Sequence, residues 1–416
     1  MIKIEKLNCG TTLIMEKTDY VQSAALGIWV KAGARDETDD VSGVSHFIEH
    51  MMFKGTDKRT AREIASDVDK IGGMFNAFTG KEATCYYIKT LSSNIYQGAE
   101  ILLDMLTGSR FDPEEMEKER KVIYEEIKMV KDSPDDDVYD TISELVASGN
   151  PLGRNFLGTP ESLAGIDRNK LVGYLNDKYA RDSIVIAVAG NFDENRIKEL
   201  FEERLNSLKA EKVIRTADIQ PYKQSFDVKV RDIEQTHICL ATPAVSLDDK
   251  RYYAFVLMNS ILGGSMSSRL FQNIREEKGL AYSVCSMNSF SSDWGFFSIY
   301  AGVAHDKVKD TLDAIRYELE NMREKGVSDE ELSMAKEQMK SSYIFGLENI
   351  NSRMFSIGKN LLLLGKVYSP DEVLAGFDNV TRADILEAAE IIGDYSSYCG
   401  ASVTGREYDL ERFVRG

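Results

Sequence analysis

The sequence predicts an α+β fold: two homologous domains in tandem, each a largely antiparallel sheet with helices packed mainly on one face. Two features carry that expectation. Apolar strand-like runs alternate with long amphipathic helical stretches in both halves, and a faint internal repeat relates the halves. Pro160-Glu161-Ser162-Leu163-Ala164-Gly165-Ile166 resembles Pro370-Asp371-Glu372-Val373-Leu374-Ala375-Gly376-Phe377. Each is followed by a helical stretch opening near Arg168 or Arg382, then by an apolar strand, Ser183 to Gly190 or Tyr398 to Gly405. Val21-Gln22-Ser23-Ala24-Ala25-Leu26 likewise lines up with Glu234-Gln235-Thr236-His237-Ile238-Cys239. The offset is 210 between Pro160 and Pro370 and 215 between Ser183 and Tyr398, a drift that loop insertions produce.

From the N-terminus, an alternating stretch through Lys6 reaches Cys9-Gly10-Thr11-Thr12-Leu13-Ile14, which reads as a strand, a turn and a second strand rather than a signal peptide. The first domain is expected over 1–212. It includes a helix from Glu114 to Val130, with Met116, Val122, Ile123, Ile127 and Val130 near helical spacing and Pro113 where a helix start tolerates proline. The run Lys131-Asp132-Ser133-Pro134-Asp135-Asp136-Asp137 that follows reads as a charged, solvated turn. A charged helix from Glu194 to Leu208 leads to a linker over 213–224 that contains Pro221. The second domain, 225–416, opens with a strand from Phe226. Its Gly263-Gly264-Ser265 reads as a turn and lacks a phosphate-binding fingerprint.

Composition narrows the function. Asp and Glu number 68 against 51 Lys and Arg, a net charge of −17, which argues against nucleic acid as a partner because phosphate contacts need clustered cations. No apolar run approaches the roughly 18–20 residues of a membrane-spanning helix, so no membrane is expected either. Five scattered cysteines form no Cys-x-x-Cys pair. Neither a disulfide framework nor a cysteine metal site is indicated, and a reducing, cytoplasmic setting is expected.

Only four histidines occur, and two stand four residues apart in His46-Phe47-Ile48-Glu49-His50. On a helix, positions i and i+4 share a face, so both imidazoles can reach one ion. Glu49 lies near enough for its carboxylate to approach a water on that ion, and Phe47, Ile48, Met51 and Met52 would anchor the helix in apolar surroundings. A catalytic zinc usually takes a third protein ligand. His237 and His305 fall in the other half, so a carboxylate from the helix Glu114 to Val130 is more economical. Glu119 and Glu126 lie on one face of it two turns apart, and the spacing does not decide between them.

The stretch Ser45-His46-Phe47-Ile48-Glu49-His50-Met51-Met52-Phe53-Lys54-Gly55-Thr56 resembles the motif helix of the pitrilysin or insulinase zinc peptidases, the inverzincins. The likeness covers essentially the whole chain and is closest to the subfamily that includes the catalytic subunit of the mitochondrial processing peptidase and its bacterial relatives. It implies His46 and His50 as zinc ligands, Glu49 as general base, Glu126 as third ligand and Glu119 as a supporting carboxylate, with one zinc per protomer. Asn76-Ala77-Phe78-Thr79 resembles the edge strand on which family members lay substrate backbone, making Asn76, Ala77 and Phe78 the expected substrate contacts, with Glu82 following. The segment Ser268 to Tyr282 resembles a second family signature, in which Arg275 and Tyr282 would reach an active site and contact substrate. Read without the resemblance, that segment is a helix with a surface Arg275 and a buried Tyr282. Asn150 departs from the pattern, since many relatives have His there, but it lies outside the metal motif.

The expected activity is zinc-dependent endopeptidase hydrolysis of extended peptides, with substrate paired along Asn76 to Phe78. A chain carrying one metal motif and one Arg/Tyr signature is expected to form a homodimer whose active site is shared between chains. The rival expectation is a non-catalytic interaction or partner subunit of the same fold.

Overall fold

The computed structural model describes residues 2–206, 208–209, 215 and 220–415. Half of the expected linker, 213–214 and 216–219, lies outside the described residues. Eleven strands occur among the described residues: β1 (Ile2–Lys6), β2 (Thr12–Lys17), β3 (Ser23–Val30), β4 (Met74–Thr79), β5 (Thr84–Leu91), β6 (Ile184–Gly190), β7 (Phe226–Val230), β8 (Thr236–Ala244), β9 (Ala281–Phe290), β10 (Gly295–Val303) and β11 (Cys399–Thr404). They build a six-stranded sheet in the order β1-β2-β6-β3-β5-β4 and a five-stranded sheet in the order β7-β11-β8-β10-β9. Neighbours are antiparallel except β2 with β6 and β7 with β11. The architecture is therefore α+β with two largely antiparallel sheets.

The internal repeat holds down to its helix caps. Thr159 and Ser369 each close a capping box on a helix that begins with proline, Pro160–Ala164 and Pro370–Asp378. The helices Arg168–Lys178 and Arg382–Ile392 follow, and then β6 and β11. Each of those strands lies between a parallel neighbour, β2 or β7, and an antiparallel one, β3 or β8.

The domains are not continuous in sequence, which corrects the expected division into 1–212 and 225–416. One unit comprises Met1–Ile127, Arg154–Thr216 and Phe345–Val367; the other comprises Lys128–Gly153, Ala217–Ile344 and Tyr368–Gly416. Each sheet thus takes one helix from the opposite half of the chain. In the first unit the helix Ile350–Leu364 covers the sheet face made by Ile14, Ala25, Trp29, Cys85, Val185 and Ala187. It packs so closely that a Cβ on Gly358 would overlap the Trp29 indole. Arg353 of this helix also pairs with the buried Glu16 of β2. The opposite face of the same sheet carries Ile88 against Gly98 of the helix Ile95–Gly108.

The second unit takes the helix Pro134–Val146, whose Val138, Ile142 and Val146 pack with Cys239, Ala241, Tyr300, Ala401 and Val403. The acidic run read as a solvated turn is the first turn of this helix, with Ser133 at its N-cap and Pro134 at its first position. Acidic side chains suit a helix N-terminus. Asp137 is buried because Lys229, at 2.9 Å, and Arg231 of the segment at β7 both reach it.

Candidate metal centre

The motif helix spans Val44–Met52 and is anchored by Phe47, Ile48, Met51 and Met52, each no more than 1% exposed. Its start is fixed from both sides. Gly43 takes a left-handed φ of 88°, and a Cβ there would run into the backbone at Leu157 and Gly158. The buried Glu37 carboxylate accepts from the free N–H groups of Gly43 (2.7 Å) and Ser45 (2.9 Å). Burial pushes the Glu37 carboxyl up to about 7, against the pull of those donors and of Arg154. At the far end Gly55, with φ 113°, turns the chain away.

With its apolar side sunk in the core, the helix presents His46 and His50 together, ring centroids 4.6 Å apart. The second element is the helix Pro113–Asp132, held by the buried Met116, Ile123 and Ile127. Its Glu126 Oε2 lies 3.7 Å from His46 Nε2 and 3.6 Å from His50 Nε2. Among the described residues these three form a group able to hold an ion, with all three ligand atoms within 4.8 Å of one another.

Glu119, on the same face two turns earlier, does something different. Its Oε2 lies 3.1 Å from His50 Nδ1 and its Oε1 lies 2.6 Å from Lys54 Nζ. A carboxylate can only accept, so His50 donates from Nδ1 and keeps the lone pair of Nε2 directed toward Glu126. Burial, then the neighbouring His50, pushes His46 down to about 3, which leaves its imidazole neutral at ordinary pH. The donor set fits zinc. Ligand atoms about 2.0–2.2 Å from a tetrahedral zinc lie roughly 3.3–3.5 Å apart, close to the 3.6 and 3.7 Å found here.

Glu49 is partly buried on the same helix and accepts a hydrogen bond from the Thr79 hydroxyl. Burial raises its carboxyl above the usual range; Thr79 and His50 pull it down, and Glu126 adds to the rise. Thr79 ends β4, the outer strand of its sheet, which also carries Asn76, Ala77 and Phe78. Phe78 stacks edge-on against Trp29 (5.5 Å) and Phe355 (5.8 Å), and the Ala77 N–H donates to Asn76 Oδ1 at 2.8 Å. Glu82 is buried in an ion pair with Arg35 at 2.5 Å. Near the metal residues, Phe156 meets the His46 ring edge-on at 5.9 Å.

Arg275 and Tyr282 belong to the other unit. There the Arg275 guanidinium lies 4.7 Å from the Phe271 ring and 5.4 Å from the Tyr282 ring. Tyr282 is 76% exposed, which corrects the reading of a buried tyrosine: it is the second residue of β9, the outer strand of its sheet, and does not face the core. Sequence reasoning missed the parts played by Glu37, Lys54 and Thr79. Only for Thr79 was a signal available, because strand alternation puts it on the Ala77 side.

Comparison with known proteins bears on these residues. Residues 12–160 match the family model described as Insulinase (Peptidase family M16), and residues 165–339 match one described as Peptidase M16 inactive domain. The chain belongs to the insulinase family, peptidase family M16. It is 40% identical to the uncharacterized zinc protease YmxG of Bacillus subtilis, over 95% of this chain and 97% of that protein. An uncharacterized zinc protease of Rickettsia felis is 39% identical over 99% of this chain and 98% of its own length. The fold is that of a peptidase M16 inactive domain structure from Pseudomonas fluorescens (TM-score 0.91, 17% identity, 98% and 99% of the two chains). It is also that of a protease from Helicobacter pylori (TM-score 0.89, 22% identity, 97% and 99%). All three metal-group residues of this insulinase-family chain fall in the first match and none in the inactive-domain match. Among the described residues no helix is long and apolar enough to cross a membrane.

Proposed function

We propose that this chain is a zinc-dependent endopeptidase that hydrolyses extended peptides or unfolded segments, with His46, His50 and Glu126 holding one Zn²⁺ per protomer. The observation that carries the reading is the approach of Glu126 Oε2 to both imidazole Nε2 atoms, with Glu49 on the same helix. When bound there, zinc supplies Lewis-acid polarisation and brings the pKa of a water toward neutrality. Glu49 then accepts that water's proton and returns it to the leaving amine. Glu119 keeps His50 in the tautomer a ligand needs. Asn76, Ala77 and Phe78 lie on an outer strand, where a peptide can add by backbone hydrogen bonds; such pairing selects extended chains over folded ones.

In this reading the active site is completed by Arg275 and Tyr282 of a second copy, in a homodimer with two equivalent sites. The setting is cytoplasmic, a reading supported by five free cysteines of which four are buried. The alternative, a non-catalytic partner subunit, draws on the inactive-domain match over 165–339, but that match leaves the metal group untouched.

The test is a peptide-library digest by wild-type and Glu49→Gln protein side by side, with zinc counted in both. About one zinc per protomer in both, and cleavage only by wild type, is the expected result. Wild type that binds no zinc, or Glu49→Gln that cleaves at the wild-type rate, would overturn the reading.

A further inference from the structure

We infer that Thr79 is a positioning residue for Glu49, tying the base to the strand that receives the peptide. The inference rests on the reading of Glu49 as general base. By the two-residue period of a strand, Phe75, Ala77 and Thr79 share one face of β4, and Met74, Asn76 and Phe78 share the other. Two ties join the first face to the motif helix. Phe75 packs on Phe53 with ring centroids 5.1 Å apart, and Thr79 Oγ1 donates to Glu49 Oε2. Glu49 lies four residues before Phe53, the C-cap of the helix, and Phe75 lies four residues before Thr79 along the strand. The strand is therefore held antiparallel to the helix by one apolar and one polar clamp, with the small Ala77 between them.

Among the described residues, Thr79 supplies the one side-chain hydrogen bond to Glu49. It is itself only 9% exposed, so its hydroxyl has little water to turn toward. With Oε2 engaged by Thr79, Oε1 is the atom left to take the proton of the attacking water. The same tie makes the carboxylate follow any shift of β4. A peptide long enough to pair with that strand steadies the strand, and through Thr79 it steadies the base. Binding energy gathered away from the scissile bond is thereby converted into rate.

The experiment uses zinc-loaded full-length Thr79→Val, Thr79→Ala and Thr79→Ser, with extended and truncated peptides. Valine keeps the shape and removes the donor. The expected result is a fall in kcat of at least about tenfold for Val and Ala, with KM and zinc stoichiometry unchanged. The serine variant should recover to within about threefold of wild type, since it restores the donor. In the wild type kcat should also rise with peptide length, and this dependence should vanish in Val and Ala. Affinity of the metal-free chain for an extended peptide, read by fluorescence anisotropy, should be the same in all. If Thr79→Val does not fold, the Ser-to-Ala comparison decides. A kcat near wild type in Val or Ala, serine no better than alanine, or a change confined to KM would overturn the inference. An inactive wild type, or an active Glu49→Gln, would instead sink the reading of Glu49 on which it stands.

Discussion

Glu119 and Glu126 are chemically identical side chains on one helix face, and their neighbours make them unequal. Both oxygens of Glu119 are engaged, one by His50 Nδ1 at 3.1 Å and one by Lys54 Nζ at 2.6 Å. Glu126 is half-buried and turns one oxygen toward both imidazole Nε2 atoms. Glu126→Gln should therefore weaken zinc binding by more than about 100-fold, whereas Glu119→Gln should cost only about 10–100-fold, as changes behind a ligand do. Competition with a chromophoric chelator measures both. Equal losses would mean that the third ligand is misassigned. His46→Ala and His50→Ala should each abolish tight zinc binding.

The motif helix is positioned by Glu37, and its stability should carry a pH signature. Burial holds the folded carboxyl near 7, above its ordinary value of 4.5. The folded chain therefore keeps a proton that the unfolded chain releases. The contribution is fully present below about pH 4.5 and is lost as pH rises through about 7, a change of about 3 kcal/mol. Urea unfolding at pH 5 and pH 8 should show wild type losing stability relative to Glu37→Gln over that interval. At pH 5 the variant should be the less stable by about 1–3 kcal/mol, since its amide NH₂ faces a backbone N–H. A pH-independent difference between the two proteins would refute this account.

The helix itself was legible in the sequence, because a four-residue histidine spacing beside Phe47, Ile48, Met51 and Met52 has a single helical meaning. So were the strand at Phe226 and the repeat, whose Pro160 and Pro370 mark true helix starts. The run Asp135-Asp136-Asp137 misled because charge alone reads as solvent, although Ser133 and Pro134 spelled a helix start. Nothing local could show that Lys229 and Arg231 bury Asp137, nor that the apolar helix Ile350–Leu364 packs on strands from the opposite half. A hydrophobic stripe states that it will be covered without naming the sheet.

For the whole molecule, the proposed sharing of the site between chains makes a quantitative prediction. On the proposed reading, Glu49→Gln chains lack the base and Arg275→Ala/Tyr282→Phe chains lack the second signature; each is expected to be inactive alone. Mixed in equal amounts with free exchange, about half the dimers are hybrids with one intact site of two, so activity should return to roughly a quarter of wild type. Exchange demonstrated by mass-tagged subunits without recovery would place Arg275 and Tyr282 within their own chain or outside the reaction.

The traded helices also set a timetable for synthesis. When the first 212 residues have left the ribosome, the sheet face bearing Trp29, Cys85 and Val185 still waits for Ile350, Met354, Ile357 and Leu362. The nascent chain must carry an uncovered apolar surface across more than a hundred further codons. Expressed alone, residues 1–212 should aggregate or bind a hydrophobic dye, and a peptide spanning 345–367 added during refolding should suppress both. The half that carries His46, His50 and Glu126 is thus the first part to be made and among the last to be finished.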